Sequence, residues 1–296
     1  MKMIISEVVE SDNGSKKYLL SASDSDLRKS VESTFFKHTE QHLPYLCISS
    51  QYGCAVGCVF CETGRQKPLG NMTTEQIVQQ VLLCREHLLN SGSLGDNQEL
   101  NTILFAGMGE PMLNLKEISG AVTEFKSQSL ANRVTLTSVG IRHTADKLYD
   151  LPLDTISISL HATTDEQRDM LIPSKAKFST KDLLEYFATY HQNTGVPVIV
   201  NYLMLEGIND SQEDLARLKD LVDKDTFIIK LKYLNEVSSI NGIILNPSEE
   251  MPAFAKALTE AGFRCISDKS DGTEILGGCG QLKSQIRDIR SKYRIM

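Results

Sequence analysis

Cys54, Cys58 and Cys61 stand in Gln51-Tyr-Gly-Cys-Ala-Val-Gly-Cys-Val-Phe-Cys61, a C-x3-C-x2-C triplet that occurs once in the 296 residues. Three thiolates in so short a span can each hold one corner of a cubane iron–sulfur cluster, whereas closed structural clusters and zinc sites take four protein ligands. A fourth iron is then left open, and an open metal position marks a catalytic centre. Two plainer readings compete: a zinc site completed by a distant residue, and reduced thiols of the core. The glycines of the surrounding loop count against inert packing. Cys84, inside an apolar helical pattern, reads as a buried structural thiol.

The triplet's spacing resembles the signature of radical S-adenosylmethionine (SAM) enzymes, in which the amino and carboxylate groups of SAM occupy the free iron. Other residues suit the same cofactor. In Gly107-Met-Gly-Glu-Pro111, Gly107 and Gly109 would let the backbone approach a ligand, and Glu110 would accept charge-assisted hydrogen bonds from an ammonium. The hydroxyls of Thr137 and Ser159, the segment Ser159-Leu160-His161 and the imidazole of His161 suit its sugar and carboxylate. Taken singly, the glycine motif could be a tight turn and His161 a hydrogen-bonded core histidine. Cys47 lies seven residues before Cys54, and a buried free thiol is its plainest reading. Cys279 lies in Gly277-Gly-Cys-Gly-Gln-Leu282, where three glycines permit a closely approached thiol.

What must position these residues is an α/β framework. Asp12-Asn-Gly-Ser15 marks a hairpin, with Lys17–Ser21 as its return strand and Val31–Phe36 as a third strand. From Pro44 onward apolar runs alternate with amphipathic helices, as in a parallel sheet with crossover helices. The six strands are Tyr45–Ser49, Asn101–Ala106, Arg133–Leu136, Thr155–Leu160, Val198–Leu205 and Phe227–Leu231. Helices are expected from Thr73, where Thr73 and Gln76 form a capping box, and over Leu115–Lys126, Asp214–Val222 and Met251–Ala261. Six units predict a partial (β/α)6 barrel, open on one side. The organisation is a β extension over 1–43, a core over 44–268 and a segment over 269–296 that holds the Cys279 loop. A last helix, Gln281–Arg294, sets Lys283, Arg287, Arg290 and Arg294 on one face; a solvated surface is its plain reading, contact with phosphates the other. In parallel barrels the working residues gather at the carboxyl ends of the strands, and all four clusters fall on that rim.

Composition excludes several classes. With 41% apolar and 23% charged residues the chain is an ordinary folded one, and no apolar run approaches the ~20 residues of a membrane span. The start has no secretory apolar stretch, and an odd count of seven cysteines with a cluster-binding triplet implies a reducing compartment, the cytoplasm. A net charge of −7 does not announce a nucleic-acid binder, so any RNA contact must be local. A monomer is expected.

Matches in order along most of the chain then identify a family: Lys17-Tyr-Leu-Leu, Val31-Glu32, Cys47-Ile-Ser-Ser-Gln51, the triplet, Gly107-Met-Gly-Glu-Pro-Met-Leu-Asn114, Ser159-Leu-His-Ala162, Arg168-Asp169, Tyr202-Leu-Met-Leu205 and Cys279-Gly-Gln-Leu282. The chain resembles the RlmN/Cfr family of radical-SAM RNA adenine methyltransferases. The resemblance implies a [4Fe-4S] cluster, two molecules of SAM, an RNA substrate (ribosomal or transfer) and a low-potential electron donor such as flavodoxin or ferredoxin. Carbon 2 or carbon 8 of adenine is too electron-poor to attack a sulfonium methyl group, hence the radical route. In the family a methyl group is first placed on the cysteine matching Cys279. A 5′-deoxyadenosyl radical then takes hydrogen from it, and the methylene adds to the base. Cys47 would release the product as a disulfide forms, with Glu32 at the position of the proton acceptor. The family's Trp-Asn-Pro segment is absent, leaving Asn235 as the nearest counterpart of a SAM-contacting asparagine. Too few residues precede the hairpin for the family's helical RNA-binding domain. The alternatives are therefore the same methylene transfer to a non-RNA acceptor, and an iron–sulfur redox or binding protein that never cleaves SAM.

Overall fold

The hairpin begins the fold as its turn residues dictate. Asn13 Oδ1 accepts from Ser15 N at 2.9 Å and from Ser11 Oγ at 2.6 Å, closing the turn between β1 (Ile4–Glu10) and β2 (Lys16–Ser21). The computed structural model describes residues 2–22, 29–37, 43–94, 100–235, 244–268 and 272–282. β3 (Ser30–Phe36) pairs antiparallel with β2 and with β4 (Tyr45–Ile48), so the amino-terminal strands are continuous with the main sheet.

From β4 onward every pairing is parallel: β5 (Leu100–Phe105), β6 (Ala131–Ser138), β7 (Thr155–Ser159), β8 (Val198–Met204), β9 (Phe227–Tyr233) and β10 (Arg264–Asp268). All ten strands lie side by side in chain order. Parallel neighbours need a crossover of a dozen residues or so, which is why helices fill the gaps. These are α1 (Thr74–Asn90), α2 (Leu115–Ser127), α3 (Asp165–Leu171), α4 (Thr180–Thr194), α5 (Gln212–Leu221) and α6 (Met251–Glu260). The Thr73–Gln76 capping box forms as expected.

Three features differ from the sequence reading. The sheet holds seven parallel strands, because β10 follows α6; its sequence, Arg-Cys-Ile-Ser-Asp, has no apolar alternation since most of it is exposed at the sheet edge. α3 and α4 were not anticipated, although Thr164 with Gln167 forms a capping box and Ser179 caps α4. After β6 the crossover is a 3-10 segment, Arg142–Asp150. Among the described residues β10 pairs only with β9 and β1 only with β2, so the sheet is not closed. The expected helix over Gln281–Arg294 lies, apart from its first two residues, outside the described ones. No described helix is long and apolar enough to cross a membrane.

Strand alternation assigns the two faces different work. Leu46, Ile103, Phe105, Val134, Leu136, Ile156, Ile158, Val200, Ile229 and Leu231 are buried in the core. Each such burial contributes about 1.5–3 kcal/mol. The residues between them, including Cys47, Thr102, Leu104, Thr137, Ser159, Lys230 and Lys232, turn to the other side, where a cavity lies.

Candidate active site

That cavity has a volume of about 560 Å³, within the range of about 300–1,000 Å³ usual for small-molecule sites. Five of the seven cysteines line it: Cys47, Cys54, Cys58, Cys61 and Cys279. All seven are free thiols.

The triplet occupies the loop after β4. Cys58 is buried, Cys54 and Cys61 half-buried. Burial pushes all three thiols up, Cys54 to about 12; charge from other members of the triplet raises Cys54 and Cys58 further, and that of Cys279 raises Cys61. Backbone N–H groups of Val56 and Gly57 point at the Cys54 sulfur and those of Gly64 and Thr63 at that of Cys61. Bound iron reverses the logic: a coordinating thiol is deprotonated outright, and amides donated to sulfur stabilise the thiolate. Among the described residues no three His, Cys, Asp or Glu side chains are gathered for a single ion. Three sulfurs, amide donors and an adjoining cavity fit a cluster in which each thiolate holds its own iron.

The segment around Cys279 is fastened onto this loop. Gly280 O accepts from Glu62 N at 2.7 Å, and Leu282 O accepts from Thr63 Oγ1 at 2.6 Å. Gly280 has φ of +82°, and a Cβ there would stand 2.8 Å from Phe60 O, so only glycine permits the contact. Asn235 Nδ2 donates to Cys279 O at 2.8 Å. The Cys279 side chain is exposed, and its charge reaches both Cys61 and Cys47. Cys47 itself is buried, its thiol pushed up to about 12 chiefly by loss of water and then by Cys279. The two cysteines, 232 positions apart in sequence, line the same cavity.

Glu110 lines the cavity after β5. Its Oε1 accepts from Met112 N at 2.9 Å and Ser138 Oγ at 2.5 Å, and its Oε2 from Val139 N at 3.0 Å. Burial raises its carboxyl, against the pull of those donors and of Arg168. Gly107 and Gly109 line the cavity too, but their missing Cβ atoms face protein: a Cβ would meet Ile48 C at 2.7 Å in one case and Gln51 Cβ at 2.7 Å in the other, with φ of +103° at Gly109. Their absence of side chain packs the Gly107–Pro111 turn against the end of β4.

Thr137 and Ser159 line the cavity from β6 and β7; Leu160 and His161 are buried and do not. His161 has φ of +56°, and its Nδ1 accepts from Leu203 N at 3.0 Å, which places the ring proton on Nε2. Burial holds its pKa at about 3, so the imidazole is neutral, and its edge meets the Phe60 ring at 5.0 Å. Glu32 and Asn235 also lie off the cavity wall. Glu32 is buried, with Lys17 Nζ 3.8 Å from its Oε1; Lys17 reaches on to Leu276 O at 3.5 Å, in the Cys279 segment.

Two sets of residues escaped the sequence reading of the site. Arg168 of α3 is completely buried and donates to Leu160 O (3.3 Å), Phe178 O (2.6 Å), Val139 O (2.7 Å) and Ser159 O (3.0 Å). It ties the loops after β6 and β7 together beneath Cys58 and Glu110, and burial lowers its pKa to about 10. An Arg-Asp pair four residues past the helix cap Thr164 was the available signal. Lys230 and Lys232 reach the cavity from β9, where the alternation Ile-Lys-Leu-Lys announces a polar inner face.

Comparison with known proteins gives the same reading. The Radical SAM superfamily model matches residues 48–219. The chain is 34% identical over 292 residues to the "Dual-specificity RNA methyltransferase RlmN" of Lawsonia intracellularis, covering 96% of this chain and 80% of that protein. It is 33% identical to the "Ribosomal RNA large subunit methyltransferase N" of Nitrosopumilus maritimus, covering 95% and 80%. The crystal structure of a radical SAM methyltransferase from Sphaerobacter thermophilus superposes with a TM-score of 0.85 at 27% identity, over 96% of this chain and 82% of that one. On this fold, this thiol-lined cavity and these relatives, the chain belongs to the RlmN family of radical-SAM methyltransferases, with a [4Fe-4S] cluster and SAM as its cofactors.

Proposed function

We propose that the enzyme methylates carbon 2 or carbon 8 of an adenine in ribosomal or transfer RNA through a methylated Cys279. The observation that carries this reading is the pair Cys47 and Cys279 on the wall of the cavity that the cysteine triplet also lines. An electron carrier has no use for two such thiols.

Cys54, Cys58 and Cys61 would hold the cluster. Gly109, Glu110, Thr137, Ser159, Leu160 and His161 would shape the cofactor site, Glu110 toward the ammonium. Asn235 would act on the cofactor indirectly, by fixing the Cys279 backbone. A cluster with SAM, when bound, would supply the radical chemistry that removes a hydrogen from a methyl group carried on Cys279. Cys279 would then carry a methylene bound to the base, Glu32 would take the proton that the attacked carbon releases, and the one surplus electron of the adduct would return to the cluster, which gave up an electron when the radical was made. The Cys47 thiolate attacks the Cys279 sulfur. The sulfur–methylene bond breaks toward the base, which gains a proton to become the methyl group, and a Cys47–Cys279 disulfide remains. A cytoplasmic monomer fed by flavodoxin or ferredoxin, a sheet wrapped as a partial barrel, and the division at 43 and 268 complete the proposal.

Mass spectrometry of anaerobically purified protein tests it. A methyl group on Cys279 is expected, and an unmodified thiol after incubation with SAM under reductant rejects the scheme.

A further inference from the structure

Lys230 and Lys232 stand two residues apart on β9, on the face turned to the cavity, while Ile229 and Leu231 between and beside them are buried on the other side. An ammonium on the inner face of a sheet loses hydration, and an anion is needed to offset the loss. Lys232 is half-buried, and its ammonium makes no hydrogen bond or ion pair among the described residues. Among the groups that feel its charge are the Cys47 thiol of β4 and the His161 imidazole beyond β7, and its register partner across the ladder is Asp268 of β10. Glu110 is the one carboxylate among the described residues of the cavity wall, and its oxygens are engaged by Ser138, Met112 and Val139. The cavity wall thus carries Glu110 after β5 and the two lysines on β9, with Lys232 close enough to Cys47 for its charge to act on that thiol.

We propose that Lys232, with Lys230 beside it, is a subsite for the phosphate group of the acceptor nucleotide. The proposal rests on the nucleic-acid reading above. A phosphate held at the two lysines would anchor the sugar–phosphate backbone next to Cys47 and leave the base free to meet Cys279. The lysine stems lie along the wall while the ammonium groups reach the anion.

The test uses the full-length, cluster-reconstituted protein saturated with SAM. It is titrated with adenosine and with adenosine 5′- and 3′-monophosphate. Wild-type protein is expected to bind a monophosphate at least about tenfold more tightly than adenosine, as a charge-assisted hydrogen bond implies. K232Q should reduce this preference to near one, K230Q should reduce it in part, and K232R should restore it, with SAM affinity unchanged throughout. Iron content and thermal melting establish that the variants are folded, and K230Q supplies the readout if K232Q is not. The proposal is overturned if the phosphate preference persists in both glutamine variants, if wild-type protein has no such preference, or if K232Q loses SAM affinity instead, which would assign the lysine to the cofactor carboxylate. A wild-type preference for the monophosphates of all four nucleosides alike, abolished by K232Q, would uphold the anion subsite and overturn the adenine reading.

Discussion

Asn235 Nδ2 donates to the carbonyl oxygen of Cys279 at 2.8 Å, joining the end of β9 to the loop that carries the exposed thiol. A Cβ on Gly278 would stand 2.9 Å from the same Nδ2, so the loop is shaped to receive this amide. Asn235→Ala removes the donor and leaves a loop carbonyl without its partner, at a cost of about 1–3 kcal/mol. The expected outcome is a several-fold fall in the yield of methyl groups on Cys279, read by mass spectrometry, with the iron content kept.

Cys47→Ala should leave methylation of Cys279 intact and stop the reaction after the base is attached. A covalent protein–RNA adduct should accumulate, visible as a denaturation-resistant band. In Cys279→Ala neither methyl group nor adduct should form.

Glu110 accepts three hydrogen bonds within the protein, so its removal acts on the fold and on the cofactor together. Glu110→Ala should lower stability by about 2–4 kcal/mol in a denaturant titration and weaken SAM binding more than tenfold in equilibrium dialysis. Glu110→Gln keeps most of the shape and should recover stability ahead of SAM affinity.

Arg168 satisfies four backbone carbonyls from three segments, and no carboxylate among the described residues lies within ion-pair distance of it. Arg168→Met should cost about 3–5 kcal/mol because those oxygens are stranded in the interior. Arg168→Lys, with one ammonium in place of the fork, should restore only part of the loss in a thermal melt.

Stability should also fall in acid through Asp214. Its carboxylate accepts from Thr163, Gln167, Ser211 and Arg217, which hold its pKa at about 2 against the opposing effect of burial. The folded-state value lies below the unfolded one near 3.9, so the contribution is fully present above the unfolded value and disappears as pH drops through the folded one. Asp214→Asn should flatten this part of the stability–pH curve by about 1–2 kcal/mol, allowing for the water around half-exposed Arg217.

What could be read in the chain, and what could not, follows from how local each signal is. The triplet, the Thr73–Gln76 cap, the hairpin turn and the apolar cores of six parallel strands depend on neighbours a few residues away, and the residue order alone carries them. β10 escaped because an edge strand buries too little to impose alternation.

Spacing by itself marked Cys54, Cys58 and Cys61 as the proposed cluster ligands, since three thiolates within eight residues need no tertiary partner to suggest a cluster. Only the folded chain decided that Cys47 and Cys279 face one cavity, that Asn235 serves the Cys279 loop, that Arg168 ties the loops after β6 and β7 together, and that Lys230 and Lys232 reach the cavity from β9. Those relations join residues tens to hundreds of positions apart, and parallel strands with long crossovers leave no trace of such pairings in the local pattern.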